Sequence, residues 1–272
     1  MPRFAANVSM LFTEYPFLDR FARAAAAGFT AVEFLFPYDF DIPAIAAELR
    51  RNNLEQVLFN LPAGDFSAGD RGMANDPRRT AEFRAGVARA LQIAAELECG
   101  RLNCLAGLQL TDVSLEAQRA ALVDNLRFAA EAAAGAGVRQ VVEPLNAFDA
   151  PGYFLTTPDA GFALVEEAAH PNLSLQYDVY HSQRMVGNLT ATIASHISQI
   201  GHIQIADSPD RHEPGTGEIN YPYVLKAIDD AGYAGWVSLE YRPRTTTEEG
   251  LVWLTDMGYW PVAGERKGAG ND

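Results

Sequence analysis

The sequence predicts an α/β fold in which parallel strands alternate with helices and close into a (β/α)8 barrel. The chain has 272 residues, close to the ~250 residues that such a barrel uses as a single domain. Short apolar segments alternate eight times with segments of helical periodicity, which is the pattern of a parallel sheet covered by helices. An open, doubly wound sheet is the alternative, but no Gly-x-Gly-x-x-Gly follows the first strand, so its dinucleotide-binding version has no support.

The predicted strands are short apolar segments bounded by turn residues or by helix signals. Their bounds are 4–9, 30–36, 54–59, 101–105, 138–143, 173–178, 201–205 and 236–240. A helix is predicted after each strand, at 17–27, 41–51, 76–98, 114–136, 157–170, 189–200, 221–231 and after Thr246.

Capping residues and glycines set the helix bounds in the first half of the chain. Phe17 and Phe21 recur at helical spacing before Gly28, a residue suited to ending a helix. Asp41 precedes a helix that has proline near its start, and Asp76 is followed directly by proline. Both arrangements are typical of an N-cap with proline in the first turn.

The same signals recur in the second half. Gly137 ends the long fourth helix, Thr157 with the proline after it opens the fifth, and Gly232 ends the helix before the last strand. Thr246 and Glu249 have the spacing of a capping box, in which threonine caps the helix and glutamate reaches back.

The predicted barrel forms one domain, residues 1–260, because no linker or shift in composition divides it. The polar, glycine-containing residues 261–272 are expected to form a flexible C-terminal tail. A long loop rich in glycine, proline and aspartate runs from Asn60 to Asn75. Loops of this length are usually functional or disordered.

Charge and composition exclude several classes of function. The net charge is −14 with a pI near 4.7, which argues against nucleic acid, since phosphate binding requires a basic face. Cys99 and Cys104 match no zinc spacing and are expected to be packed small side chains. The sequence has no signal-peptide pattern and no run of ~20 apolar residues, so no membrane partner is expected and a cytoplasmic location is the default.

Four oxygen-bearing side chains fall near the ends of four successive predicted strands: Glu143, Asp178, Gln204 and Glu240. They recur at intervals of roughly 30 residues, the length of one strand–helix–strand unit. A parallel barrel has its active site at this end of the strands. A single strand-end carboxylate is often a helix cap or a surface ion pair, but four on successive strands favour a shared site. Carboxylate and amide oxygens are hard ligands, so the expected cofactor is a divalent metal, Mg²⁺ first and Mn²⁺ second.

Glu143 and Glu240 lie on strands separated by two others, so they can approach one ligand from opposite sides. A metal ion between them would polarise a carbonyl and acidify the proton on the adjacent carbon. One carboxylate could remove that proton and the other could return it to the neighbouring carbon. This chemistry moves a carbonyl along an α-hydroxycarbonyl compound through an enediolate.

Two histidines and three arginines complete the candidate site. His181, just beyond the sixth strand, could bind a substrate oxygen, although a solvent-facing loop histidine is the ordinary alternative. His202 shares a strand face with the predicted amide ligand and could support it, although a packed histidine is the more common case. Arg71, Arg184 and Arg211 are candidates for binding a substrate carboxylate, and each could equally be a solvated surface residue.

Several long motifs resemble those of the hydroxypyruvate isomerase family, which belongs to the xylose-isomerase-like TIM barrels. The resemblance extends from Phe4 to about Tyr259, and the motifs around Asp178 and Gly215 are its most specific part. The segments that carry it are 61–65, 142–146, 176–185, 201–207 and 213–221.

The resemblance implies a (β/α)8 barrel with a divalent metal that interconverts hydroxypyruvate and tartronate semialdehyde. It implies that Glu143 and Glu240 are the proton donor and acceptor, and that both of them, with Asp178 and Gln204, bind the metal. The wider superfamily often has histidine at the position of Gln204, and the amide favours a magnesium-like ion. Close relatives isomerise 2-oxo-tetronates, and some members have histidine at the position of Phe59, so the chain length of the substrate is left open.

Other functions remain open at this point. A 2-oxo-tetronate isomerase or a sugar epimerase would use the same barrel on a different small molecule. A metal-dependent endonuclease would need a basic groove, which the acidic composition disfavours. A non-catalytic sugar-acid binder would retain ligand affinity after Glu143→Gln or Glu240→Gln. The expected partner is a small hydroxy-keto acid. The sequence does not settle the oligomeric state, although barrels of this kind commonly form homo-oligomers.

Overall fold

The computed structural model describes residues 1–260, and the expected flexible tail at 261–272 lies outside the described residues. Nine strand segments, all parallel to their neighbours, form one sheet. They are β1 (Arg3–Asn7), β2 (Ala31–Glu33), β3 (Glu55–Gln56), β4 (Phe59–Asn60), β5 (Arg101–Leu105), β6 (Arg139–Glu143), β7 (Leu173–Asp178), β8 (Ile200–Ile205) and β9 (Trp236–Leu239).

The sheet closes because β3 and β4 are two halves of one interrupted strand. The strand order runs β3-β2-β1-β9-β8-β7-β6-β5-β4, so its two ends are adjacent in the chain. Across the interruption, Val57 N donates to Val32 O at 2.9 Å on one side, and Leu61 N donates to Asn103 O at 2.7 Å on the other. Eight strand positions therefore surround the barrel, and the predicted α/β barrel is confirmed.

Nine helices follow the strands in the described part of the chain. They are α1 (Asp19–Ala27), α2 (Ile42–Arg51), α3 (Thr80–Glu96), α4 (Leu115–Gly135), α5 (Pro158–Ala168), α6 (Val179–Met185), α7 (Leu189–His196), α8 (Tyr221–Asp230) and α9 (Val252–Asp256). Short 3₁₀ turns precede α3, follow α7 and precede α9, at Pro77–Arg79, Ile197–Gln199 and Glu249–Leu251.

The predicted caps explain several of these starts. Asp41 accepts a hydrogen bond from Ala44 N, and Thr157 accepts one from Ala160 N, each with proline in the first turn. These bonds satisfy N–H groups that the helix itself leaves unpaired. Thr246 Oγ1 accepts from Glu249 N at 3.3 Å, but among residues 1–260 Glu249 makes no return bond to Thr246 N, so only half of the predicted capping box forms.

One helix was not predicted. The segment after β7 was expected to be a loop that carries His181, but it forms α6. The reason is local, because Asp178 Oδ1 accepts from Tyr180 N at 2.7 Å and from His181 N at 3.3 Å. The last residue of the strand is thus also the N-cap of a helix.

The apolar core lies between the strands and the surrounding helices. It includes the fully buried aromatic residues Phe21, Phe34, Phe59 and Tyr177. Cys99 and Cys104 are buried and unpaired within the described chain. Among the helices of residues 1–260, none combines the length and apolar character needed to cross a membrane.

Candidate active site

A cavity of about 780 Å³ opens at the carboxyl ends of the strands. Its wall contains two of the four predicted metal ligands, Glu143 and Glu240, together with His181, Arg71 and Arg211. This is the end of a parallel barrel where catalytic residues are found. The cavity is large enough for a small hydroxy-keto acid.

Glu143 is the last residue of β6, and its side chain is buried at the base of the cavity. Asn103, on the neighbouring strand β5, donates from Nδ2 to Glu143 Oε2 at 2.8 Å. Burial raises the pKa of Glu143 well above its ordinary value, and the carboxylates of Glu240 and Asp178 raise it further. A negative charge here is therefore unfavourable until a positive charge compensates it.

Asp178 combines a structural bond with an unsatisfied oxygen. Oδ1 caps α6, whereas Oδ2 is buried and has no hydrogen-bond partner within residues 1–260. That oxygen lies 3.5 Å from His181 Nε2 and 3.5 Å from Arg211 Nη2. Burial raises the pKa of Asp178 above its ordinary value, although Arg211 opposes the shift. Buried polar atoms are rarely left without a hydrogen bond, so this carboxylate oxygen is available to a further ligand.

Glu240 follows β9 and contacts the guanidinium of Arg211. Arg211 Nη2 donates to Glu240 Oε2, and Asn7 Nδ2 donates to Oε1 at 3.2 Å. Burial raises the pKa of Glu240 to about 8, while Arg211 lowers it and Asp178 raises it further. The mouth of the barrel thus holds three buried acids, Glu143, Asp178 and Glu240, against one arginine.

Gln204 stands beside Asp178 in the β7–β8 register and is fully buried. Its Nε2 donates to Glu33 Oε1 at 2.7 Å, and its Oε1 accepts from Gln176 Nε2 at 2.6 Å. A carbonyl oxygen has two lone pairs, so Gln204 Oε1 can still coordinate a cation.

His181 is neutral and has a defined tautomer. Burial lowers its pKa well below the ordinary value, and Arg211 lowers it further. Asn146 donates its backbone N–H to His181 Nδ1 at 3.1 Å, so the ring proton is on Nε2, which faces Asp178. A protonated nitrogen cannot bind a metal, and this arrangement therefore suits His181 to donate a hydrogen bond to a substrate oxygen, the role predicted from the sequence.

The residues at the mouth fit a divalent cation. Ligand atoms of Glu143 and Asp178 lie within 4.8 Å of each other and of a ring nitrogen of His181. The two carboxylates are hard ligands, and Asp178 Oδ2, whose only polar contacts within the described chain are those at 3.5 Å with His181 and Arg211, can still accept a cation. His181, whose Nε2 carries the proton, is a neighbour of this site and not one of its ligands. Glu240 shares a guanidinium nitrogen with Asp178 and so borders the same space.

The three candidate arginines have different positions. Arg211 is paired with acids, and its guanidinium also lies 5.1 Å from the ring of Tyr180. Arg71 lines the cavity, with its guanidinium over Phe66 at 3.9 Å and hydrogen bonded to backbone carbonyls. Arg184 lies over the exposed ring of Phe148 at 4.5 Å and is not among the residues that line the cavity.

The loop after β8 is folded around Asp207 and presents Arg211. The Asp207 carboxylate accepts from the backbone N–H groups of Gly215, Gly217 and Ile219 at 2.8, 2.9 and 3.1 Å. Arg211 has a φ of 60°, in the left-handed region, and its N–H is bonded to Asp207 O at 3.0 Å. The backbone of this loop is thus held by a single buried carboxylate.

Sequence reasoning missed four residues that support the site, Asn7, Glu33, Asn103 and Asp207, and one more arginine that lines the cavity, Arg242. Glu33 was the most detectable, since it is a charged residue inside the apolar strand segment 30–36. Burial raises its pKa, but the ion pair with His202 and the surrounding hydrogen bonds outweigh burial, so the pKa lies below its ordinary value. His202 Nε2 donates to Glu33 Oε2 at 2.7 Å, and the histidine is both packed and hydrogen bonded.

Comparison with known proteins places this chain in a family. The model of the xylose isomerase-like TIM barrel matches residues 21–257. The hydroxypyruvate isomerase of Escherichia coli is 50% identical over 254 residues, covering 93% of this chain and 98% of the relative. A 2-oxo-tetronate isomerase of Cupriavidus necator is 49% identical over 254 residues, with the same coverage.

A solved structure agrees with this placement. The crystal structure of an AP endonuclease, family 2, from Brucella melitensis has a TM-score of 0.92 and 48% identity, covering 94% of this chain and 99% of the other. The chain therefore belongs to the xylose isomerase-like TIM-barrel family. Within that family it is an isomerase, similar to hydroxypyruvate isomerase and 2-oxo-tetronate isomerase.

Proposed function

We propose that the protein is a divalent-metal-dependent isomerase that interconverts hydroxypyruvate and tartronate semialdehyde through an enediolate. The observation that carries the proposal is the pair Glu143 and Glu240, two buried carboxyl groups on the wall of one cavity. Burial raises the pKa of Glu240 to about 8 and that of Glu143 well above its ordinary value, and a carboxyl group with a raised pKa can donate a proton as well as accept one. The similarity to hydroxypyruvate isomerase supports the choice of substrate.

The proton transfer balances within the substrate. One carboxylate removes a proton from C3 of hydroxypyruvate, the carbon that bears the hydroxyl group, and the electrons form the C2–C3 double bond of the enediolate. The other carboxyl group donates a proton to C2, while the hydroxyl proton moves from the C3 oxygen to the C2 oxygen. The product has its aldehyde at C3, and no external oxidant or reductant is required.

Glu143, Asp178, Gln204 and Glu240 would hold the cation. When bound, a Mg²⁺ or Mn²⁺ ion supplies positive charge that favours ionisation of the buried carboxyl groups and polarises the substrate carbonyl. Arg211 balances part of the negative charge through its contacts with Glu240 and Asp178.

The acid group of the substrate is assigned to Arg71. Arg211 is already paired with carboxylates, whereas Arg71 has no carboxylate within salt-bridge distance among residues 1–260. Its guanidinium is oriented by Phe66 and by two backbone carbonyls, at 3.2 Å to Phe66 O and 2.7 Å to Asp70 O. A planar guanidinium can then receive a carboxylate, and His181 Nε2 can donate to a hydroxyl or carbonyl oxygen.

A 2-oxo-tetronate isomerase is the second candidate, favoured by the similarity to the Cupriavidus necator enzyme. The cavity of about 780 Å³ has room for one more carbon. The two functions are separated by kcat/KM for hydroxypyruvate, for four-carbon 2-oxo acids and for neutral ketoses, measured with Mn²⁺ in excess. We expect hydroxypyruvate to give the highest value, and a preference for ketoses over both acids would contradict the proposal.

A further inference from the structure

Beneath the four predicted cation ligands, the barrel interior contains a hydrogen-bonded group of buried side chains centred on Glu33. Glu33 is the last residue of β2, and its exposed fraction is 0%. Its Oε1 accepts from Asn7 Nδ2 at 2.9 Å and from Gln204 Nε2 at 2.7 Å, and its Oε2 accepts from His202 Nε2 at 2.7 Å. Glu33 and these three partners are not among the residues that line the cavity, so we expect no direct contact between Glu33 and a molecule bound there.

Two of the three partners lead to the site. Gln204 is itself a predicted ligand, and Asn7 uses the same Nδ2 to donate to Glu240 Oε1 at 3.2 Å. A carboxylate only accepts hydrogen bonds, so it must face the amide nitrogens of Asn7 and Gln204. The amide oxygen of Gln204 is thereby turned away from Glu33, and it is the oxygen that a hard cation can use.

We propose that Glu33 is the positioning residue of the cation site: by binding the N–H groups of Gln204 and Asn7, it orients the Gln204 carbonyl oxygen and, through Asn7, the Glu240 carboxylate toward a shared divalent ion. The proposal rests on the metal-dependent function proposed above. In this role Glu33 would not bind the ion itself but would hydrogen bond the residues that do. Residues in that position commonly fix the orientation of metal ligands. His202 in turn holds Glu33 by the second carboxylate oxygen.

The test compares two variants that lose the same charge and have similar length. Glu33→Gln retains one acceptor oxygen for Asn7 and Gln204 and can turn its amide toward His202. Glu33→Met retains no acceptor. Each protein is stripped of metal and titrated with Mn²⁺ while free Mn²⁺ is followed by electron paramagnetic resonance, so that the readout is independent of turnover.

We expect the Mn²⁺ Kd of Glu33→Met to exceed that of Glu33→Gln by about 10–100-fold, the effect of removing a partner that orients a ligand. Thermal unfolding of the metal-free proteins separates this effect from stability, since a merely structural role would lower the melting temperature without raising Kd. Equal Kd values for the two variants would overturn the proposal. If wild-type protein binds no Mn²⁺, the cation site itself is absent and the proposed function fails with it.

An exchange of the two side chains covers the case in which Glu33→Met does not fold. Gln204→Glu alone places two carboxylates in contact. Glu33→Gln combined with Gln204→Glu restores the hydrogen bond, with the amide donor now at position 33 and the carboxylate acceptor at position 204. We expect the double variant to bind Mn²⁺ at least ~10-fold more tightly than Gln204→Glu. Equal or weaker binding by the double variant would show that the contact between positions 33 and 204 does not orient the ligand.

Discussion

Arg211 hydrogen bonds the carboxylate of Glu240 at the mouth of the barrel. The same guanidinium nitrogen lies 3.5 Å from Asp178 Oδ2. One arginine thus balances two of the predicted cation ligands. The site can therefore keep its carboxyl groups buried together, at the cost of raised pKa values for Glu143, Asp178 and Glu240.

Glu240→Gln is expected to reduce kcat by about 10²–10⁴-fold, because an amide cannot exchange a proton with the substrate. The fold should survive, since glutamine retains the shape and can still accept from Asn7. Turnover is measured with hydroxypyruvate, and circular dichroism checks the fold. Glu167→Gln, on the outer surface where Glu167 pairs with Arg119, is the control. Retention of more than about a tenth of the wild-type rate would exclude Glu240 from proton transfer.

Removal of divalent metal is expected to abolish isomerisation, because the carbonyl would no longer be polarised. The protein is dialysed against EDTA, verified to be metal-free by mass spectrometry, and assayed before and after addition of Mg²⁺ or Mn²⁺. Activity should return with either ion. Full activity of the verified metal-free protein would refute the cofactor assignment.

Arg71→Leu is expected to raise KM for hydroxypyruvate by about 10–100-fold with a smaller effect on kcat, the result of losing a charged hydrogen bond of ~1.5–3 kcal/mol. The matched control is Arg84→Leu, because Arg84 also lies over a phenylalanine, Phe128 at 4.6 Å, but on the outside of the barrel. An unchanged KM for the Arg71 variant would show that another positively charged residue binds the acid group of the substrate.

Gly217→Ala is expected to lower the free energy of unfolding by about 1–3 kcal/mol. A Cβ at this position would lie 1.9 Å from Ser208 O, so the loop around Asp207 would have to move. Because that loop presents Arg211, kcat/KM should fall as well. The control is Gly135→Ala, at the end of α4, where a Cβ meets nothing within 4 Å. Equal urea-unfolding curves for Gly217→Ala and wild type would contradict the close contact.

Asp76→Asn is expected to reduce stability at neutral pH, but not in acid. Hydrogen bonds from Arg78 hold the pKa of Asp76 below its ordinary value of 3.8. A carboxylate with a lowered pKa contributes its full stability above its unfolded-state pKa and loses it as pH falls through the folded-state value. The difference in unfolding free energy between wild type and Asp76→Asn should be constant above about pH 5 and shrink below pH 3.8. A gap that persists unchanged at lower pH would contradict the shift.

The sequence was sufficient to predict the barrel because each strand is a short apolar segment beside a clear helix signal. The prediction of secondary structure failed at two places, each for a physical reason. The helix α6 begins without a break after β7, since Asp178 serves as both strand end and N-cap. The third strand is continuous in the sequence pattern, but the structure divides it into β3 and β4. Neither feature changes the hydrophobic period on which the prediction depends.

In the candidate site, the residues at the ends of strands could be predicted from the sequence. The residues inside the barrel that hydrogen bond them could not. Glu143 and Glu240 follow apolar segments, so their position at the mouth was evident. Asn7 and Glu33 point inward from the first two strands, and their contacts with Glu240 and Gln204 join positions that lie far apart in the chain. Side chains alternate along a strand, so the sequence pattern shows which of them point into the barrel. It does not show which residue of a distant strand each of them will contact.

Strand pairing is shortest on the side of the barrel that contains β2 and the interrupted third strand. β2 pairs with β1 and with β3 at only two residue positions each, and β4 pairs with β5 at two, whereas β5 and β6 pair at five. Backbone amides of β2, β3 and β4 should exchange with deuterium sooner than those of the opposite wall, since short ladders open at lower free energy. The strands that lead to Glu143, Asp178, Gln204 and Glu240 are β6 to β9. They are consecutive in the sheet and include none of these two-position ladders. Local opening of the ring is therefore expected away from the four predicted cation ligands.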